Sequence, residues 1–345
     1  MAETETQRLA RRYDEYDEVV EIVSAAEVWF NNAEMAPTVR HFERYPAVRH
    51  PDGNEATPDF TVLFTDDTGF VSEIASVALE SGSFESLWRQ LERYSALNEI
   101  PAGSGQLATV AAIDVLAFIP QDSAQRTCDL IDEKRQEGGP THVSVLSYGR
   151  RRDGDYTFIR ISRSNNPRPR GHGREPSLES WLADETNADT LSGLTKNFTP
   201  IKAKARFCND PMSELYLAVV LWSQVLAEMA GGVRDLETTP EQIAQELSAR
   251  FGRGKTSDVR AALNLLKAAR LALEAEKNWV IPWQPIGSPH QDLKDALIRR
   301  LEAPPKGPIT HSAKEQRRKE RREKKSNQEA QDQLDLGSSP QRGVS

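Results

Sequence analysis

The sequence predicts a mixed α/β domain, a mainly helical second domain and a polar tail, and three observations support this fold class. Helix-like and strand-like patterns alternate over residues 15–162. Residues 109–119 form an almost continuous apolar run, which is typical of a strand buried on both faces. After residue 210 the apolar spacing becomes helical.

The expected boundaries follow from these changes of pattern. They are 1–163 for an α/β domain with a mixed sheet flanked by helices, 164–200 for a Pro-, Gly- and Arg-rich linker or insertion, 201–303 for the helical domain, and 304–345 for a disordered tail that is first basic and then polar.

The first domain begins with a helix and a hairpin. Apolar residues at helical spacing predict a helix over 12–35. Residues 58–64 and 70–77 are rich in β-branched and aromatic residues, and the polar segment 65–69 between them predicts a turn. A second amphipathic helix is expected over 83–97.

The rest of this domain is predicted to complete the sheet. The buried strand at 109–119 is followed by a helix over 123–137 and by strands near 142–148 and 155–162. A mixed sheet is therefore expected, because a hairpin is antiparallel whereas strands joined through helices are parallel.

The second domain has the element order of a winged helix-turn-helix. A long helix is predicted to open at Asp210-Pro211, and further helices are expected over 240–251 and 257–271. Two short apolar segments flanking residues 275–278 then predict a hairpin. In the tail, residues 314–325 hold eight basic and three acidic side chains, which suits non-specific phosphate binding or a solvated segment.

Charge is distributed unevenly along the chain. Residues 1–164 carry 28 acids and 16 bases, a net of −12, whereas residues 165–345 carry 24 acids and 28 bases, a net of +4. The basic half is the better candidate for binding DNA or another nucleic acid. No apolar run is long enough for a membrane span and no signal segment is visible, so a cytoplasmic protein without membrane contact is expected.

Two carboxylates are the strongest candidates for catalytic or metal-binding residues. If the predicted hairpin closes at residues 65–69, Asp59 and Glu73 share one face of the sheet. Their oxygens would suit Mg²⁺, which is therefore the expected cofactor if the site is intact. The alternative is that both are ordinary solvated surface groups. The side chain two positions after Glu73 shares its face, and there the sequence has Ala75.

These residues resemble the active-site motif of the PD-(D/E)XK nuclease superfamily, which has a restriction-endonuclease-like fold. The matching segments are Pro58-Asp59 and Glu73-Ile74-Ala75, followed by Gln90-Leu91-Glu92-Arg93-Tyr94, which is similar to the QxxxY helix of helicase-associated members. The resemblance implies site roles for Asp59, Glu73, Gln90 and Tyr94, with Glu27 on the first helix as a further acidic member. Such proteins handle DNA, for example in defence against foreign DNA.

The lysine of that motif is missing. It would fall at Ala75, and residues 1–133 contain no lysine. Losing an electrostatic stabiliser of this kind typically lowers a rate by about 10²–10³. The resemblance therefore implies the fold more strongly than it implies cleavage, unless an arginine such as Arg89 or Arg93 substitutes.

The helix-turn-helix segment supplies a candidate nucleic-acid interface. Its second helix would present residues able to reach phosphates and base edges, namely Lys255, Thr256, Ser257, Arg260 and Asn264, and Lys277 lies at the expected wing tip. The acids Asp258 and Glu274 would weaken phosphate binding, and winged helices also serve protein contacts.

Three functions remain open at this point. The leading hypothesis is a nucleic-acid-binding protein whose nuclease-like domain is weak or inactive. The first alternative is an active Mg²⁺-dependent nuclease with a relocated cation. The second is an adaptor that binds a protein partner or a second copy of itself through the winged helix.

Overall fold

The computed structural model describes residues 3–32, 36–75, 81–161, 166, 183–184, 198–200, 207–232, 235–276, 278–282, 286 and 292–303. The predicted tail, the wing-tip residue Lys277 and most of the predicted linker lie outside these residues. Among the described residues, no helix is long and apolar enough to cross a membrane.

A seven-stranded mixed sheet forms the centre of the first part of the chain, as the element order predicts. Its strands, in spatial order, are β1 (Val39–Arg44), β4 (Phe60–Phe64), β5 (Thr68–Ile74), β8 (Ala112–Pro120), β9 (Val143–Arg150), β10 (Tyr156–Arg160) and β11 (Ala183–Asp184). Pairing is antiparallel from β1 to β5 and between β9 and β10, and parallel for β5–β8–β9 and β10–β11. The apolar strand β8 lies in the middle with parallel neighbours on both sides.

Helices cover both faces of this sheet, and the alternation of side chains along the strands explains how. On β4, Val62 and Phe64 join the core that contains α1 (Glu5–Phe30), whereas Leu63 joins the core beneath α2 (Ser81–Ser95) and α3 (Gln121–Gln136). Two short hairpins accompany the sheet, β2 (Val48–Arg49) with β3 (Glu55–Ala56) and β6 (Glu99–Gly103) with β7 (Gln106–Thr109).

The C-terminal part is mainly helical. It comprises α4 (Glu214–Val220), a π-helical turn (Leu221–Val225), α5 (Leu226–Ala230), β12 (Leu236–Thr238), α6 (Pro240–Phe251), α7 (Thr256–Ala268), β13 (Leu273–Ala275), β14 (Asn278–Ile281) and α8 (Leu293–Glu302). The three strands pair in the order β12–β14–β13, both pairs antiparallel.

Helix α1 connects the two parts through one continuous apolar core. Tyr13 and Tyr16 contact Tyr216 of α4, with ring centroids 5.3 and 4.7 Å apart. The Tyr16 hydroxyl also donates to the carbonyl of Cys208 and accepts from its amide N–H. The sheet and the helical part are therefore packed together rather than joined only by a linker.

Two local predictions are wrong, and one strand is missing from the prediction. The first helix begins at Glu5 instead of residue 12, because Thr4 and Gln7 form a capping box that starts it earlier. Strand β1 was not predicted, since its residues are mostly half-buried and show no alternation. The helix expected to open at Asp210-Pro211 begins at Glu214, where the Ser213 side chain caps it.

Candidate carboxylate site

Asp59 and Glu73 lie close together at one end of the β4–β5 hairpin. Phe60 pairs with Ser72, and the Asp59 N–H donates to the Ser72 carbonyl at 3.0 Å, so Asp59 lies beside the end of β5 that carries Glu73. Residues two apart on a strand project from the same face, so Glu73 shares the face of Val71. That face is the one covered by α2, because Val71 belongs to the core beneath α2.

The structure contradicts the alternative that Asp59 is a solvated surface group. Asp59 is only 4% exposed, and its Oδ2 accepts a hydrogen bond of 2.7 Å from the Ile74 N–H. Glu73 is half-buried beside it. A backbone donor at this distance fixes the orientation of the Asp59 carboxylate toward β5.

Helix α2 brings two of the predicted residues to this pair. The buried Tyr94 hydroxyl donates to Glu73 Oε2 at 2.9 Å, and the side chain of Gln90 also hydrogen-bonds to Glu73. Residues four apart lie on one face of a helix, which is why both reach the same carboxylate. Asp59, Glu73, Gln90 and Tyr94 are therefore neighbours in space.

Burial makes both acids hard to ionise. Desolvation raises the pKa of Asp59 well above its ordinary value, and the nearby Glu73 charge adds to the rise, whereas the Ile74 N–H opposes it. Desolvation likewise raises the pKa of Glu73 to about 8, although the hydrogen bonds from Tyr94 and Gln90 favour the ionised form. At neutral pH the pair therefore retains a proton.

Ala75 leaves the position next to this pair without a cation. It follows β5, its N–H donates to the Phe118 carbonyl, and its methyl packs against the core beneath α2. The two arginines considered as substitutes donate elsewhere: Arg89 Nε to the Glu85 carbonyl at 3.2 Å and Arg93 Nη2 to the Glu55 carbonyl at 2.7 Å.

Glu27 is engaged in a separate ion pair. Its carboxylate accepts hydrogen bonds from Nε and Nη2 of Arg44 on β1, and Arg44 also donates to Ser24 Oγ. Glu27 belongs to α1, which packs on the face opposite to α2. The structure thus gives Glu27 a partner other than Asp59 or Glu73.

A third carboxylate, Asp210, acts on the pair and was missed in the sequence. Its negative charge contributes to the raised pKa of both Asp59 and Glu73. Burial raises the pKa of Asp210 itself, whereas the Cys208 thiol and the Arg253 charge oppose that rise. Only the Asp-Pro dipeptide marked this position, and that dipeptide predicted a helix start instead.

The candidate nucleic-acid residues cluster at the beginning of α7. Lys255 occupies the N-cap position and is exposed, Ser257, Arg260 and Asn264 are exposed, and Thr256 is half-buried. Because these exposed positions recur at spacings of three and four residues, they lie along one side of the helix.

Neighbouring glutamates partly neutralise the positive charge of that surface. Arg260 Nη2 lies 3.4 Å from a Glu241 carboxylate oxygen, and Lys267 Nζ lies 2.6 Å from Glu274 while also covering the Trp279 ring. Over residues 235–282 the sequence has seven acids and seven bases, so the local net charge is zero.

Comparison with protein families, curated proteins and solved structures finds no match to this chain.

Proposed function

We propose that the protein binds nucleic acid, DNA in the first instance, and carries a nuclease-type carboxylate centre that cleaves weakly or not at all. The observation that carries this proposal is the neighbouring carboxylates of buried Asp59 and half-buried Glu73, with Tyr94 and Gln90 on Glu73 and a methyl group at position 75. This arrangement supports the resemblance to the PD-(D/E)XK superfamily at the acids and departs from it at the cation.

The missing cation should make cleavage inefficient. Phosphodiester cleavage develops negative charge on the phosphate and on the attacking oxygen, and a nearby cation stabilises it. Ala75 offers only a methyl group, while Arg89 and Arg93 donate to backbone carbonyls. The expected consequence is a rate about 10²–10³ lower than that of a centre with the cation.

The donor atoms of the pair suit Mg²⁺. Carboxylate oxygens are the ligands this ion prefers, and it commonly keeps several waters, so two carboxylates are sufficient. Within the described residues no group of three His, Cys, Asp or Glu side chains could hold a metal. The proposal therefore rests on Asp59 and Glu73 as two protein ligands, with water or phosphate oxygens supplying the others. A bound Mg²⁺ would supply positive charge toward a phosphate oxygen.

The C-terminal elements support a winged-helix module as the binding surface. Strand β12, helices α6 and α7, and the β13–β14 hairpin follow one another in the winged-helix order, with the three strands paired β12–β14–β13. In this arrangement α7 is the recognition helix, and its exposed Lys255, Ser257, Arg260 and Asn264 face solvent.

The experiment that tests the proposal is a mobility-shift titration with labelled double- and single-stranded DNA between about 50 and 200 mM salt. Affinity should fall steeply with salt, and the double variant Arg260→Ala/Asn264→Ala should bind more weakly. A parallel incubation of plasmid with Mg²⁺ or Mn²⁺ compares wild type with Asp59→Ala. Cleavage by the wild type that is lost in Asp59→Ala would establish an active nuclease, which is the first alternative.

The ion pairs on α7 favour a second candidate function, a protein-binding adaptor. Arg260 and Lys267 are each beside a glutamate, and the module is electrically neutral. The two functions separate clearly, since an adaptor would show no DNA binding at about 50 mM salt and would instead engage a protein partner or a second copy of the chain.

A further inference from the structure

Three consecutive arginines form the tip of the β9–β10 hairpin. Arg150, Arg151 and Arg152 follow one another where β9 ends, and all three are exposed. The surrounding sequence is acidic, with 28 acids and 16 bases over residues 1–164, and no other three consecutive residues in that range are all basic. This arginine tip is therefore an unusual concentration of positive charge in the first part of the chain.

The turn that presents these side chains is ordered by its own hydrogen bonds. The Gly154 N–H donates to the Arg151 carbonyl at 3.0 Å, and the Arg151 N–H donates to the Asp155 carbonyl at 2.8 Å. Gly154 has a φ of +90°, a conformation that glycine adopts without a steric penalty. The Asp155 side chain also accepts a hydrogen bond of 2.6 Å from the Thr199 hydroxyl. The backbone of the arginine tip is thus held in one shape before any ligand binds.

Strand register places the arginine tip at the same edge of the sheet as the carboxylate pair. Strands β5, β8 and β9 are parallel, and Glu73, Ala117 and Val145 lie at one level across them. Arg150 is five residues further toward the carboxyl end of β9. With neighbouring strands about 4.8 Å apart and a rise of about 3.3 Å per residue, the backbone of Arg150 lies about 20 Å from that of Glu73.

Helix α3 adds partial positive charge beside the arginine tip. It begins at Gln121, directly after β8, and a Cβ placed on Gly149 would lie 3.1 Å from Gln121 Oε1. The start of α3 therefore adjoins the last residues of β9. A helix carries about half a positive charge at its N-terminus, and Arg126 is exposed within the first two turns of α3.

Carboxylates near the arginine tip leave its guanidinium groups accessible. Arg150 Nη2 lies 3.4 Å from Glu21, and Arg151 Nε lies 3.8 Å from Asp153. The two arginine side chains nevertheless remain 54% and 51% exposed. Exposed ion pairs of this length are weak, so a phosphate can compete for both arginines. The other acids at this place are Asp122, in the first turn of α3, and Asp155.

We propose that the arginine tip binds the phosphate backbone of a nucleic acid and positions it along the sheet edge that carries the Asp59–Glu73 pair. This inference rests on the proposed function and deepens it, because it adds a second contact surface to the one predicted on α7. Guanidinium groups suit this role, since their planar donors match phosphate oxygens and they stay charged at physiological pH. Phosphate contacts of this kind fix position without reading sequence.

The arginine tip does not replace the cation missing at Ala75. A separation of about 20 Å exceeds the Debye length of about 8 Å at physiological salt, so its charge is screened at the carboxylates. Its role is to hold the backbone at a distance. Because each strand of a duplex rises about 3.4 Å per base pair, the contact would lie about six base pairs from the carboxylates.

The test is a mobility-shift titration of the full chain with labelled duplex DNA between about 50 and 200 mM salt. Arg151→Gln/Arg152→Gln removes two charges and keeps polar side chains, whereas Arg151→Lys/Arg152→Lys keeps the charges. Arg299→Gln/Arg300→Gln on α8 is the matched control, because it also removes two charges from adjacent arginines. Helix α8 ends beside Thr6, about four turns of α1 away from Glu21.

The expected result is a log–log salt slope that falls by about 2 in Arg151→Gln/Arg152→Gln, since each phosphate contact contributes about 0.9. The lysine variant and the α8 control should keep the wild-type slope. Asp153→Asn should bind DNA about two- to fivefold more tightly, because it removes the acid beside Arg151 and keeps an oxygen for the Asp155 N–H. Denaturation midpoints would confirm that all variants are folded.

The outcomes separate this inference from the proposed function. Wild-type protein that binds no DNA would overturn both. A slope that is unchanged in Arg151→Gln/Arg152→Gln, while Arg260→Ala/Asn264→Ala weakens binding, would overturn the role of the arginine tip alone. An equal loss of slope in the α8 control would also overturn it, because the effect would then reflect net charge rather than position.

Discussion

Replacing Glu73 by glutamine should stabilise the protein at alkaline pH. The folded state raises the pKa of Glu73 from its ordinary value of 4.5 to about 8, chiefly through burial. The native protein therefore holds this proton more tightly than the unfolded chain does. Its stability should fall as pH rises through this range and then level off above it. Glutamine removes that titration and can still accept the hydrogen bond from Tyr94.

The size of the effect follows from the shift. Each pKa unit corresponds to about 1.4 kcal/mol, so the full displacement corresponds to about 5 kcal/mol. Because solvent reaches part of Glu73 and the proton is shared with Asp59, we expect about 2–4 kcal/mol. At pH 5 and below, where wild-type Glu73 is protonated, the two proteins should be close in stability.

Urea denaturation of wild type and Glu73→Gln from about pH 5 to pH 9 measures this difference directly. Glu92→Gln, at an exposed position of α2, serves as the control and should follow the wild-type curve. Parallel pH profiles for wild type and Glu73→Gln would refute the reasoning, because they would mean that Glu73 titrates alike in the folded and unfolded chains.

Three further predictions concern the same region. Tyr94→Phe removes the donor to Glu73 and should lower the free energy of unfolding by about 1.5–3 kcal/mol above pH 8 and by less at pH 5, as urea denaturation would show. Mg²⁺ at about 100 times its Kd should stabilise the wild type by about 2.7 kcal/mol at pH 8 but should not stabilise Asp59→Asn. Thermal melts with and without the ion measure this difference, and equal melting temperatures of the wild type would contradict Mg²⁺ binding. Gly254→Ala, in the turn between α6 and α7, forces a Cβ against the Ala244 carbonyl and should destabilise by about 1–3 kcal/mol in the same denaturation assay, with an unchanged midpoint counting against the close packing of this turn on α6.

The carboxylate pair could be predicted because its geometry is local. A polar turn closes the β4–β5 hairpin, and hairpin register then fixes which residues stand opposite each other. Helical periodicity likewise places Gln90 and Tyr94 on one side of α2. The contact of Gln90 and Tyr94 with Glu73 also depends on the packing of α2 on the sheet. That packing was expected from the resemblance to the PD-(D/E)XK superfamily.

The contribution of the helical part could not be predicted in this way. Asn209 bonds to the carbonyl of Thr57 across a separation of 152 residues, and no periodicity in either segment signals that contact. The Asp-Pro dipeptide predicts a helix start at Asp210, but the helix begins at Glu214 and Ser213 caps it. The position of Arg253 depends on how α6 and α7 pack against this segment, which is a property of tertiary structure alone.

The central claim is that a nuclease-type carboxylate pair is present and lacks its cation, and Ala75→Lys tests it most directly. The measurement is Mg²⁺-dependent plasmid cleavage by Ala75→Lys and by wild type. We predict that the variant cleaves about 10²–10³ faster than wild type and that adding Asp59→Ala abolishes the gain. A folded, DNA-binding Ala75→Lys protein that cleaves no faster than wild type would contradict the account.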